Sequence, residues 1–268
     1  MTLAALLSGG ALPFGSVPGR VRLDRALSKL GLASRLEAQR LIRSGQVTVA
    51  GLVVTDPAQL VVPESSSVAV AGAIARATKW RTLAFHKPRG IVTTRRDPQG
   101  RRTVFDVLGA DAGSLVAVGR LDLASTGLLL LTTDTQLAAW LTDPRNQVIR
   151  RYVVTARGAV SDDAARAMER GLGGLRARNV EVRKRSNRET HLIIELTEGR
   201  NREIRRLLEA VGHEVTRLLR VAYGPIELET LQPGEWRELT RNQVKAAFPL
   251  IPPSGRPTGR SSLRVGRG

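Results

Sequence analysis

Residues 118–134, VGRLDLASTGLLLLTTD, hold the chain's most chemically suggestive arrangement. An apolar run is interrupted by Arg120 and Asp122, passes through Ala124, Ser125, Thr126 and Gly127, and resumes at 128–131. A carboxylate between a buried strand and a tight turn is held rigidly at a sheet edge. The alternative is an Asx turn, the use to which most such aspartates are put. That alternative leaves Arg120, the Gly127 turn and the nearby segment FHKPRG without a shared reason. Other chemistries are excluded by absence from the sequence. The chain has no cysteine, which removes disulfides, thiolate catalysis, zinc ribbons and iron–sulfur clusters. His86, His191 and His213 lie far apart without ligand spacing, so no metal site is expected. There is no G-x-G-x-x-G, no G-x-x-x-x-G-K-[ST] and no G-x-S-x-G. Methyltransferase, NTPase and serine-hydrolase readings lose their support.

The positioning elements must come from a strongly basic chain of 268 residues with net charge +18. Only five of its 42 cations are lysines. Guanidinium offers a planar two-pronged donor to phosphate, so the bias fits an RNA or DNA partner, although GC-rich codon usage gives the same bias. A hydrophobic content of 42% is enough for a sizeable core, and the length suits one large domain or two ordinary ones.

Five segments are expected. Residues 1–20 form a flexible extension, whose Gly and Pro residues and lack of cationic start argue against a signal peptide. Residues 21–72 form a small unit: a first helix capped by Asp24 and ended by Gly31, a second opened by Ser34 and Glu37 as a capping box and stopped by Gly45, then a hairpin turning at Gly51. Residues 73–79 are a linker, 80–250 the main domain, and 251–268 a basic tail. In the main domain strands are expected near 81–85, 115–118, 148–155, 190–196 and 226–230, and helices near 134–142, 161–170 and 201–211. Strands and helices do not alternate as βαβ units, so the class is α+β with a mixed, mainly antiparallel sheet. Apolar runs are too short to span a bilayer, and a cytoplasmic protein is expected.

Two resemblances follow. The segment from residue 22 to about 62, with its G-x-x-S-R element at Gly31, Ser34 and Arg35, resembles the RNA-binding domain named after ribosomal protein S four. The resemblance implies that Lys29, Arg35, Arg40 and Arg43 meet structured RNA; the bland alternative is a solvated helix face. The G-R-L-D-x-x-[TS]-[TS]-G-L-L-L-L-T pattern resembles the signature of pseudouridine synthases of the RsuA-like family. Residues 85–108, 150–154 and 198–228 match that family in order.

The second resemblance implies isomerisation of a specific uridine to pseudouridine in ribosomal RNA, with no metal or organic cofactor. Asp122 takes the place of the nucleophile, a carboxylate that attacks and leaves again as in glycosidases; attack on the sugar and its deprotonation both stay open. Arg205 takes the place of its ion-pair partner, needed because a lone buried carboxylate tends to protonate. Tyr152 takes the place of the residue stacking on uracil, with a half-buried strand tyrosine as the alternative. Arg120 takes the place of the residue entering the stack as the nucleotide flips out; a plain phosphate contact is the alternative. Lys87, Arg89 and Arg206 are further candidates for RNA contact, His86 is given no catalytic role, and His213 is a cap or packing residue.

The segment DPQGRRTVFDVL resembles the large-subunit (23S) branch of that family more closely than the small-subunit (16S) one, which implies a large-subunit target. The expected partner is ribosomal RNA or an assembling subunit, with no membrane, no required protein partner and a monomeric state. The competing reading is a non-catalytic RNA-binding assembly factor, which would be expected to have lost Asp122, Tyr152 or Arg205.

Overall fold

The computed structural model describes residues 20–29, 32–33, 35–62, 67–70, 73–74 and 79–251. The chain divides into two compact units, residues 1–77 and 78–268. In the first, a short strand β1 (Val21–Arg22) leads into α1 (Leu23–Lys29), followed by α2 (Arg35–Arg43), β2 (Val47–Val49), β3 (Leu52–Val53), β4 (Leu60–Val61), β5 (Val68–Val70) and β6 (Ala73–Ile74). Leu23, Leu27, Ala38, Ile42 and Val47 are fully buried between the helix pair and the strands. The hairpin turns at Ala50 and Gly51, both at positive φ, the pairing that matches strand twist.

Asp24 corrects an expectation. It lies inside α1 rather than ahead of it, fully buried, and accepts from the Arg25 backbone N–H at 2.8 Å and from Gln39 Nε2 at 2.9 Å. Arg22 pairs with it at 3.3 Å, so the carboxylate ties α1 to α2 instead of capping a helix end. The caps expected at Gly31 and Ser34 lie outside the described residues, as do most of the N-terminal extension and of the basic tail.

The second unit runs β7 (Thr82–Lys87), α3 (Val104–Leu108), β8 (Val116–Ala117), β9 (Thr126–Thr132), α4 (Thr135–Thr142), β10 (Arg150–Arg157), α5 (Asp162–Arg170), β11 (Asn179–Arg185), β12 (Glu189–Leu196), α6 (Glu203–Ala210), β13 (Val215–Tyr223), β14 (Ile226–Glu227), β15 (Trp236–Glu238) and α7 (Arg241–Ala247). One sheet is ordered β11-β12-β10-β13-β9-β7-β15, with β8 on β9 and β14 on β13. Its one parallel pair is β9 with β13; the others are antiparallel.

The run TGLLLLT of β9 lacks polar alternation because both faces of the sheet are covered. Leu129 and Leu131 pack with α3, α5 and α6 on one face, and Leu128 and Leu130 with α4 and α7 on the other. Gly127, the second residue of β9, has φ +108°, and a Cβ there would lie 2.2 Å from the Arg220 carbonyl oxygen. Only glycine lets β9 and β13 approach this closely. The expected class, α+β with a mixed, mainly antiparallel sheet, is what the structure shows.

Candidate active site

Asp122 sits in the turn that feeds β9. The turn is closed through the main chain, Ser125 N–H to Asp122 carbonyl at 3.0 Å. Three anchors fix it: Thr93 Oγ1 donates to the Leu121 carbonyl at 3.0 Å, Gly90 N–H to the Leu123 carbonyl at 2.8 Å, and Lys87 Nζ to the Ser125 carbonyl at 2.9 Å. Among the described residues the Asp122 carboxylate accepts no hydrogen bond and joins no ion pair, so it does not close an Asx turn. It is left half-buried on the wall of a cavity of about 390 Å³.

The register builds the wall opposite. Gly127 on β9 faces Arg220 on β13, which in turn faces Tyr152 on β10. Tyr152 is 7% exposed and lines the cavity with Asp122, Arg150, Glu203 and Arg220. Arg150 is held by the carbonyls of Thr197 and Leu141 and by the Tyr223 hydroxyl. Glu203 is buried; burial pushes its carboxyl above the ordinary value, against the pull of the hydrogen bond from the Arg200 backbone N–H. A second cleft of about 570 Å³ shares Arg120, Leu121, Asp122 and Arg202, and adds Arg96. Arg96, Arg120 and Arg202 are exposed there without a described partner.

Two expectations are corrected. Lys87 is fully buried and donates to the Pro88 and Ser125 carbonyls, so it cannot reach an RNA phosphate. Burial lowers its ammonium to about 8; Asp122 partly offsets this and Arg220 adds to it. Beside β7 the edge strand β15 pairs through Trp236 opposite Phe85, and on the other side Lys87 itself faces Gly127 of β9. The Arg205–Asp122 ion pair is not formed. Arg205 Nη1 instead donates to the Val215 carbonyl at 3.0 Å, and the side chain does not line the cavity. Asp122 still acts on Arg205 across space, against a lowering caused mainly by burial.

Arg40, Arg43, Arg89, Arg120 and Arg206 are exposed, as a phosphate contact requires; nothing is described of the Lys29 and Arg35 side chains. His86 Nδ1 meets the Leu231 carbonyl at 2.7 Å, and His213 Nδ1 the Arg157 carbonyl at 2.9 Å, both packing roles. Arg220 escaped the sequence reading and Ser125 entered it only as a turn residue, and both are buried on the cavity wall. The exposed arginine pattern of RLLRVAY gave no sign that its second arginine points inward. Among the described residues no group of three or more His, Asp or Glu side chains could hold a metal ion.

Residues 81–210 match the family model described as RNA pseudouridylate synthase, and residues 21–65 match the S4 domain. The chain is 40% identical to ribosomal large subunit pseudouridine synthase B of Yersinia pestis, over 81% of this chain and 72% of that protein. It is 38% identical to the protein of the same name from Escherichia coli strain K12, over 86% and 83%. An uncharacterised RNA pseudouridine synthase of Aquifex aeolicus is 35% identical, over 86% and 95%. A crystal structure of a pseudouridylate synthase superposes with a TM-score of 0.60 at 26% identity, covering 85% of this chain and 99% of that one.

Proposed function

From the premise that this chain belongs to the RNA pseudouridylate synthase family, we propose that its substrate is a uridine of large-subunit ribosomal RNA and that Asp122 carries the chemistry. The family reaction is an isomerisation: the N-glycosidic bond of uridine breaks, C5 of the uracil bonds to C1′ of the ribose, N1 takes up a proton and C5 releases one. The substrate follows the relatives named for the large ribosomal subunit. The observation that carries the site is the Asp122 carboxylate, unpartnered among the described residues, on the wall of a cavity whose other lining includes Tyr152 and buried cations.

The glycosidic bond is out of reach in a stacked helix, so the nucleotide must be extruded into the cavity. Arg120, exposed at the rim that the two clefts share, fills the gap left in the stack; its position on both clefts supports this role. Arg96 and Arg202 border the path and take phosphates. Tyr152 gives the uracil ring a face to stack on, worth about 1–3 kcal/mol per base. Asp122, rigid because its turn is anchored at three points, acts at C1′ or on its neighbouring proton. A protein that only bound RNA would need the exposed arginines but not this cavity. The S4-like unit adds affinity for folded RNA through Arg40 and Arg43. The protein works as a monomer in the cytoplasm; no helix among the described residues is long and apolar enough to cross a membrane.

The test uses wild type and Asp122→Asn on small- and large-subunit ribosomal RNA, offered both as transcripts and as subunits from cells lacking the protein. Carbodiimide-blocked primer extension maps the product. A stop on large-subunit RNA with wild type alone is expected. A stop confined to small-subunit RNA overturns the substrate, and stops from both proteins overturn the role of Asp122.

A further inference from the structure

A third cleft, of about 330 Å³, adjoins the Asp122 cavity and is lined by Gln147, Gly174, Arg176, Arg178, Thr197 and Glu198. Glu198 stands on the walls of both. The partition between them is tied by two arginines of the cavity: Arg150 Nη1 donates to the Thr197 carbonyl at 2.5 Å, and Arg200 Nη1 to the Gly174 carbonyl at 2.7 Å. The third cleft shares no residue with the one that contains Arg96, so the two leave the Asp122 cavity by different walls. No apolar side chain lines it, and its volume is close to that of the cavity assigned to the flipped uridine.

The chain builds this cleft rigidly. Gly173 and Gly174, both at positive φ, form a tight turn closed by reciprocal main-chain bonds between Leu172 and Leu175 at 2.8 and 2.9 Å. Beyond it Leu175 and Ala177 are buried while Arg176 and Arg178 are exposed, the alternation of an extended chain, which sends both guanidinium groups to the same side. Ala177 N–H donates to the Met168 carbonyl at 3.0 Å and Arg178 N–H to the Glu195 carbonyl at 2.8 Å, so the segment is pinned. Neither arginine side chain has a described partner. Glu198, the one acid of the cleft, is balanced by Arg200 Nε at 2.5 Å, which leaves two free cations there. Gln147 faces them from another element, exposed and at φ +46°, a strained backbone for a side chain of this kind and one retained mainly at functional sites. Its amide, also without a described partner, offers both donors and an acceptor.

We propose that this cleft is a second nucleotide subsite: Arg176 and Arg178 hold the RNA backbone on one side of the target uridine, and Gln147 reads the edge of the neighbouring base. The inference rests on reading the Asp122 cavity as the seat of the flipped uridine. A strand that delivers one nucleotide into that cavity continues on both sides of it. The cleft with Arg96 and Arg202 serves one side, and this cleft serves the other. Guanidinium groups match phosphate in charge and geometry but carry no sequence information, whereas an amide beside them discriminates among base edges. The arrangement gives the catalytic unit a selectivity of its own, separate from the S4-like unit.

The test uses a large-subunit RNA fragment containing the mapped target, with neutral methylphosphonate linkages placed one at a time on either side of it. Affinity is measured for three full-length proteins: wild type, Arg176→Ala with Arg178→Ala, and Arg170→Ala with Arg188→Ala, a control pair of exposed arginines outside the three clefts. On one flank a neutral linkage is expected to weaken wild type and the control at least about threefold and the Arg176/Arg178 variant not at all. On the other flank all three weaken alike. The Arg176/Arg178 variant is also expected to lower the slope of log K against log salt by about one to two. Equal penalties in all three proteins on both flanks overturn the proposal, and so does an unmoved slope. For Gln147, each of the four bases is placed next to the target on that flank. Wild type is expected to favour one by at least about fivefold, and Gln147→Gly, which adopts the same φ without strain, to lose the preference. No preference in wild type, or one unchanged in Gln147→Gly, overturns the role of Gln147. Absence of isomerisation by wild type on any ribosomal RNA overturns the functional reading and this inference with it; isomerisation with either failed binding result overturns the inference alone.

Discussion

Lys87→Met separates a buried lysine from one that meets RNA. Below about pH 8 the Lys87 ammonium is charged in both the folded and the unfolded chain, and folding carries the full cost of burying it. As pH rises through about 8 the folded protein releases that proton, while the unfolded chain keeps it up to 10.5. The unfolded state then binds more protons, so stability rises with pH across this window. The two values correspond to roughly 3 kcal/mol between neutral pH and about pH 10.5. Other groups titrate in the same range but cancel in the difference between wild type and Lys87→Met. At neutral pH the sign of that difference is mixed. Methionine avoids the cost of burying a charge but leaves the Pro88 and Ser125 carbonyls without their donor. The slope is therefore the diagnostic quantity. Urea unfolding read by the fluorescence of Trp80, Trp140 and Trp236, all in the second unit, should show wild type gaining about 2–3 kcal/mol on the variant from about pH 7 to 10.5. A difference that stays flat within about half a kcal/mol means that Lys87 is solvated, and refutes its placement behind the Asp122 turn.

Three further outcomes are expected. Gly127→Ala should cost at least about 4 kcal/mol, through a forbidden φ and a clash with the Arg220 backbone; thermal unfolding within a few degrees of wild type would contradict the close approach. Tyr152→Phe should keep most of the single-turnover rate, whereas Tyr152→Leu should lose about ten- to a hundredfold with little change in RNA affinity; equal rates for Phe and Leu would rule out stacking. Arg40→Ala with Arg43→Ala should lower the dependence of log K on log salt by about two, as loss of two phosphate contacts requires, and an unmoved slope would make them a solvated helix face.

What could be read from the sequence was local. Gly51 between two β-branched runs marks its hairpin, and the leucine run of β9 can only be a strand covered on both faces. The helix of residues 203–210 carries its inward stripe Ile204, Leu207 and Leu208 as the spacing predicts. What failed depended on partners distant in sequence. Lys87 stands in a dense basic stretch and looks like its exposed neighbour Arg89; only the pairing of β7 with β9 and β15, about 40 and 150 residues away, puts it inside. Of the other cations in that stretch, Arg95 covers the Phe105 ring at 4.4 Å and Arg101 is held by Asp97, so fewer remain for RNA than the composition suggests. Asp24 obeys the sequence rule for a cap, but Gln39 from the next helix outcompetes that local use. Arg205 takes the place that the resemblance gives to the ion-pair partner, yet the Val215 carbonyl takes its Nη1, an interaction that no helical spacing reveals. Arg220 went unnoticed because VTRLLRVAY alternates too poorly to mark its inward face.

The most direct test of the central claim follows the hydrogen that the isomerisation must release. RNA carrying tritium at C5 of uridine and containing the mapped target is incubated with excess wild type or Asp122→Asn, and tritium in the solvent is counted alongside RNA affinity. Wild type should release one equivalent per target site, and Asp122→Asn none, with affinity unchanged within about threefold. Release from Asp122→Asn at a rate comparable to wild type would contradict the assignment of the chemistry to Asp122.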